Sequence, residues 1–204
     1  EAYTAAGCER FEAPPAARAY TGKSPLADCL AEQAIRLIGR HLLTAFAEPE
    51  NAEARHGMAL AALTAGLAFS NAGVAVVHAL EYPLGATLHV SHGGGNAMLL
   101  PHVMRYNAPE RAAELARVAE WLGAPVAGLE LEAAAEQAAA AVETLNRKLG
   151  IPAGIKALGG TREQLPGFAE KSFAITRLME TNPRRPKSAA ELLTILEAAF
   201  DPAQ

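Results

Sequence analysis

Aromatic residues make up only 5% of this 204-residue chain, and cysteine occurs just twice, at Cys8 and Cys29. Two thiols cannot build a disulfide framework, so a reducing compartment is expected, with a cytoplasmic location. Positive charge is scarce too: 18 Lys and Arg face 22 Asp and Glu, for a net charge of −4. That excludes the broad basic footprint of a nucleic-acid-binding surface. No alternating apolar–polar run longer than about four residues occurs, and an all-β fold is excluded with it. Also missing are a P-loop, a GxGxxG following a strand, a GxSxG elbow, an HExxH and a CxxC, so the chain shows no nucleotide-binding fingerprint of its own. It opens on Glu1-Ala2-Tyr3, with no basic segment leading into an apolar one, and no secretory signal is expected.

What is abundant is alanine, with 47 residues. Alanine is the best helix former and a poor strand former, so the expected class is all-α, a compact bundle of seven to nine helices. The segment 1–23 reads as the tail of a helix followed by a surface loop marked by Gly7, Pro14, Pro15 and Gly22. Residues 24–204 read as the helical unit. Ser24-Pro25 starts a helix in which Leu26, Leu30, Ala34, Leu37, Ile38 and Leu42 recur at helical spacing. Asn51 caps a second helix, Ala52 to Phe69, apolar around most of its circumference. The spacing then predicts an apolar run Val74 to Leu80 ended by Pro83 and Gly85. Helices follow over Ala97 to Tyr106, Pro109 to Leu122, Leu129 to Leu149 and Ala189 to Phe200. Thr161 with Gln164, and Ser188 with Glu191, both fit a capping box. The longest apolar stretch, Met58 to Leu80, is broken by Thr64, Ser70, Asn71 and His78. It is expected as a buried core helix rather than a membrane span.

The residues capable of chemistry cluster between Phe69 and Asn96. His78, His89 and His92 are half of the six histidines. His41 and His56 lie among charged residues at helix ends and are expected in solvent, and His102 as an ordinary core or surface side chain. His78 and His92 are 14 residues apart, with Pro83 and Gly85 between them to turn the chain. Such spacing can bring two imidazoles into one cleft, where they would suit Fe, Zn, Cu or Ni. It fits equally a pair of ordinary polar residues at helix ends, and a metal centre needs further ligands. His92-Gly93-Gly94-Gly95 reads either as an anion-holding helix start or as a plain connector.

Several stretches resemble the iron-containing (group III) alcohol dehydrogenases. They are Phe69-Ser70-Asn71-Ala72-Gly73, His78-Ala79-Leu80-Glu81-Tyr82-Pro83-Leu84-Gly85, Ser91-His92-Gly93, the run from Asn96 through Asn107, and Thr181-Asn182-Pro183-Arg184. The likeness extends over nearly everything from Ser24 on and covers only the second, helical half of that family. It implies the helical domain shared with dehydroquinate synthase. It implies His78 and His92 as two of four metal ligands for Fe2+ or Zn2+, the others being an Asp and a His that would fall just before Glu1. NAD or NADP would be held by an N-terminal half not contained in this chain. Phe69 would line the substrate pocket. Tyr82 stands where many members carry a histidine, so Tyr82 is the expected hydrogen-bond donor, and His89 is the candidate to replace the histidine relay. The implied activity is reversible NAD(P)-linked oxidation of a small alcohol to an aldehyde or ketone, by a homodimer, with this half inactive alone. A hydroxyacid–oxoacid transhydrogenase and a maleylacetate reductase are the alternatives within the superfamily. A non-catalytic helical module is the alternative outside it.

Overall fold

The computed structural model describes residues 1–202; the last two residues of the expected 24–204 unit lie outside the described residues. Eight α-helices succeed one another without a strand among the described residues: α1 (Pro25–Ala47), α2 (Ala52–Ala72), α3 (Val76–Leu88), α4 (His92–Trp121), α5 (Leu131–Leu149), α6 (Leu165–Phe173), α7 (Thr176–Thr181) and α8 (Ala189–Ala198). The all-α expectation holds. The first 23 residues form two short 3-10 turns, Cys8–Arg10 and Pro15–Ala17, inside a loop closed by an isolated bridge between Gly7 and Gly22.

Local chemistry sets three of the eight helix starts. Ser24 accepts a hydrogen bond from the Ala27 amide, and Asn51 accepts one from Ala54, each satisfying an exposed first-turn N–H. Ser91 does the same for Gly94 at the start of α4. The Thr161–Gln164 capping box forms. The Ser188–Glu191 box does not: Glu191 instead accepts from the Tyr106 hydroxyl at 2.7 Å and from the Lys187 amide.

Three features differ from the sequence reading. Pro83 and Gly85 do not end a helix but lie inside α3, where Pro83 costs one backbone bond and the buried surroundings hold the helix together. The two helices expected from Ala97 and Pro109 are one element, α4, kinked at Arg111 two residues after Pro109. The apolar stripe expected on α1 is displaced: Leu26 is 66% exposed, and the buried side chains are Ala27, Ala31, Ala34 and His41. His41 is therefore not solvated; its ring lies against Gly57 of α2. His56 is exposed, as expected.

Two apolar clusters result. The first joins α3, the start of α4, α6, α7 and α8 through Leu80, Leu84, Leu99, Leu165, Leu178 and Leu196. The second joins the N-terminal segment, α1, α2, the far part of α4 and α5, and is largely alanine with Tyr3 and Trp121 at its aromatic centre. Leu100 packs against both. Small side chains let the second cluster close tightly: a Cβ on Gly39 would lie 2.7 Å from the Trp121 carbonyl oxygen. Gly39→Ala is accordingly expected to destabilise the protein by about 1–3 kcal/mol through overpacking against backbone that cannot yield. A lowered urea midpoint at constant slope would register it; an unchanged midpoint would contradict it.

No single helix among the described residues is long and apolar enough to cross a membrane. The apolar stretch around Ser70 divides into α2 and α3, which meet at 107°. Gly73 makes the corner. Its φ of +99° is a conformation that side-chain-bearing residues rarely adopt, and a Cβ there would strike Thr181 and Tyr20. Thr181 pins the far side of the corner by donating to the Val74 carbonyl at 2.6 Å.

Candidate metal centre

The corner at Gly73 aims the first turn of α3 at the first turn of α4. His78 is the third residue of α3 and His92 the first of α4. The sequence reading placed His78 at the close of a helix; it stands at an opening, and so do both imidazoles. The chain reverses later than expected, through His89, which adopts the left-handed conformation (φ 53°, ψ 39°) as the C-cap of α3. The His78 and His92 ring centroids lie 5.2 Å apart at an interplanar angle of 60°. Tyr82, one turn beyond His78, places its ring 6.3 Å from His78 and 6.0 Å from His92, stacking on the latter at 23°. His89 is exposed, and no hydrogen bond or ring contact joins it to this group among the described residues.

Each imidazole is tied to a carboxylate. The Nδ1 of His78 bonds to Oε2 of Glu1, whose Oε1 accepts from the Val77 amide at 2.8 Å. The Nδ1 of His92 bonds to Oε2 of Glu81 at 2.6 Å. Both carboxylates are buried, with side chains 10% and 5% exposed, whereas the imidazoles are 25% and 57% exposed. Burial opposes the charge on Glu1, and its hydrogen bond to His78 works in the other direction, holding the pKa down. Burial, reinforced by nearby Tyr20, raises the pKa of Tyr82, so its hydroxyl keeps its proton.

These residues fit a divalent metal in their donor chemistry. With Nδ1 engaged, each ring has Nε2 left as a ligand atom, and a carboxylate behind a ligating imidazole is a usual supporting arrangement. They do not complete a coordination shell: no group of three or more metal-binding side chains is assembled among the described residues.

Beside His78 lies a cavity of about 250 Å³, lined by Glu1, Phe69, His78 and Asn96 together with apolar side chains of α1 and α2. Phe69, expected in a substrate pocket, is thus on its wall and 44% exposed. Asn96 donates to the His92 carbonyl at 2.9 Å, while its own side-chain oxygen is buried without a partner among the described residues.

Sequence reasoning missed Glu1, Glu81 and Asn96. The signal for Glu81 was present, since a carboxylate inside an apolar helical run is rarely buried without a partner. Glu1 gave none, because only the fold brings it to His78.

Fold and site together define an all-helical domain with a paired-histidine cleft where two helices begin. The chain belongs to the iron-containing alcohol dehydrogenase family: the model described as "Fe-containing alcohol dehydrogenase family, C-terminal" matches residues 17–200. A 1,3-propanediol dehydrogenase of Klebsiella pneumoniae is 40% identical over 187 residues, which are 91% of this chain and 48% of that protein. An NAD-dependent methanol dehydrogenase of Bacillus methanolicus is 37% identical over 163 residues, 80% of this chain and 42% of its own. A crystal structure of a 1,3-propanediol oxidoreductase superposes with a TM-score of 0.87 at 37% identity, covering 98% of this chain and 48% of that one. The chain therefore spans about half the length of the relatives it matches.

Proposed function

We propose that this chain is the metal-holding helical half of an NAD(P)-dependent alcohol dehydrogenase acting on a small alcohol or aldehyde. The observation that carries the reading is the His78–His92 pair, 5.2 Å apart, with each Nδ1 held by a buried carboxylate. His78 and His92 would hold Fe2+ or Zn2+, with further ligands from the segment preceding Glu1. A divalent metal there supplies Lewis acidity toward a substrate oxygen, worth several kcal/mol in the transition state.

The remaining roles belong to the chain itself. Tyr82, protonated and stacked on His92, donates a hydrogen bond toward the substrate oxygen. The closeness of the Tyr82 ring to both imidazoles, which His89 lacks, supports Tyr82 over His89 for this task. Phe69 and its apolar neighbours wall the cavity, exclude water and orient the alcohol carbon toward a nicotinamide bound by the preceding half. NAD or NADP as cofactor, a homodimer and a cytoplasmic setting belong to the same proposal; the exposed, unpaired Cys8 and Cys29 accord with a reducing compartment. Two imidazoles supported in this way favour the metal-dependent branch over a metal-free maleylacetate reductase.

The test is NAD(P)-linked alcohol oxidation by the full-length protein before and after chelation and re-addition of Fe2+ or Zn2+. Loss and recovery of turnover are expected, together with no turnover by residues 1–204 alone. Activity indifferent to chelation, or catalysis by the isolated segment, would refute the proposal.

A further inference from the structure

Glu81 occupies a place prepared for it between α3 and α4. It lies one turn after His78, on the face of α3 that meets α4, with its side chain only 5% exposed. Glycines stand at both contacts. A Cβ on Gly85 would collide with the Glu81 carboxylate, and one on Gly95 would come within 2.8 Å of its Cγ. A carboxylate buried in an apolar interface costs several kcal/mol of desolvation, which one hydrogen bond does not repay. Its one hydrogen-bond partner among the described residues is the Nδ1 of His92, at 2.6 Å. What the bond does is act on His92. That ring is 57% exposed, and its stacking on Tyr82, a contact through the ring face, selects neither nitrogen for the proton. Asn96 does not fix it in plane: its amide nitrogen is nearly equidistant from Nδ1 (3.3 Å) and Nε2 (3.2 Å), so it lies over the ring.

We infer that Glu81 is a positioning residue: by accepting the Nδ1 proton of His92 it fixes ring orientation and tautomer, presenting a bare Nε2 to the cleft it shares with His78. This rests on the reading of that cleft as a metal centre. Glu1 does the same for His78, but it also caps α3 through the Val77 amide, which leaves Glu81 as the residue whose part is orientation alone.

The test uses the full-length protein with two measurements. The first is Zn2+ affinity by chelator competition. Glu81→Ala is expected to weaken binding by about 10–100-fold. Glu81→Gln, whose amide oxygen still accepts from Nδ1–H, is expected to recover most of that loss. Equal affinity in all three proteins overturns the inference. The second is 15N NMR of the metal-free protein, well above the ordinary imidazole pKa, where His92 is expected to carry its proton on Nδ1 in the wild type and to lose that preference in Glu81→Ala. A wild-type His92 protonated on Nε2 overturns the inference with no variant needed, even if Glu81→Ala fails to fold. Wild-type protein that binds no Zn2+ and no Fe2+ would defeat the metal-centre reading instead, and the NMR result would still decide whether Glu81 sets the tautomer.

Discussion

His78→Ala in the full-length protein is expected to lower kcat/KM for NAD(P)-linked alcohol oxidation by at least about a hundredfold and to reduce bound metal below one equivalent. The size follows from the Lewis-acid contribution of several kcal/mol and from a tenfold rate change for each ~1.4 kcal/mol. His92→Ala is expected to do the same. The first variant is the cleaner, because the two imidazoles leave different residues behind. Without His78, Glu1 still accepts from the Val77 amide. Without His92, Glu81 is left buried with no hydrogen-bond partner among the described residues, and a stability loss accompanies the functional one. Metal analysis and steady-state kinetics on the same preparation check both variants. A His78→Ala protein that keeps its metal and its rate would remove the basis of the proposed function.

Asn182→Ala is expected to destabilise the protein by about 3 kcal/mol, because it strands two buried polar groups at about 1–3 kcal/mol each. Asn182 and Asn107, 1% and 5% exposed, exchange hydrogen bonds: Asn107 Nδ2 donates to Asn182 Oδ1 at 3.2 Å, and Asn182 Nδ2 donates to Asn107 Oδ1 at 2.7 Å. Asn182 also donates to the Arg184 carbonyl at 2.7 Å. The pair locks the segment after α7 to the middle of α4. Urea unfolding of Asn107→Ala, Asn182→Ala and the double variant checks this as a thermodynamic cycle. The double variant is expected to cost clearly less than the sum of the singles. Strict additivity would show that the two amides do not act as a unit.

The all-α class and several helix starts were legible because they depend on nearby residues: alanine content, the caps at Ser24 and Asn51, and the Thr161–Gln164 box. The misread points depend on distant ones. Pro83 and Gly85 look like breakers, yet the buried interface with α4 and α6 carries α3 past them. Leu26 looks like core and is exposed, because the close approach of α1 to its neighbours selects alanine for the buried face. Ser188 looks like half of a capping box, but Tyr106 draws Glu191 away. At the site, the pairing of His78 with His92 was legible from their spacing and from the family resemblance, whereas their polarity along the helices was not. Glu1 lies 77 residues from His78 in sequence, and no local pattern announces their bond.

That bond has a mechanical consequence. Ala2, Tyr3 and Ala5, which follow Glu1, are anchored in the alanine-rich cluster with Trp121, while α3 is anchored in the leucine-rich one. His78 is thus moored to both clusters, through α3 on one side and through Glu1 on the other. Loosening of the alanine-rich side, by heat or by substitution, therefore reaches this imidazole through its N-terminal tether even while α3 itself stays packed.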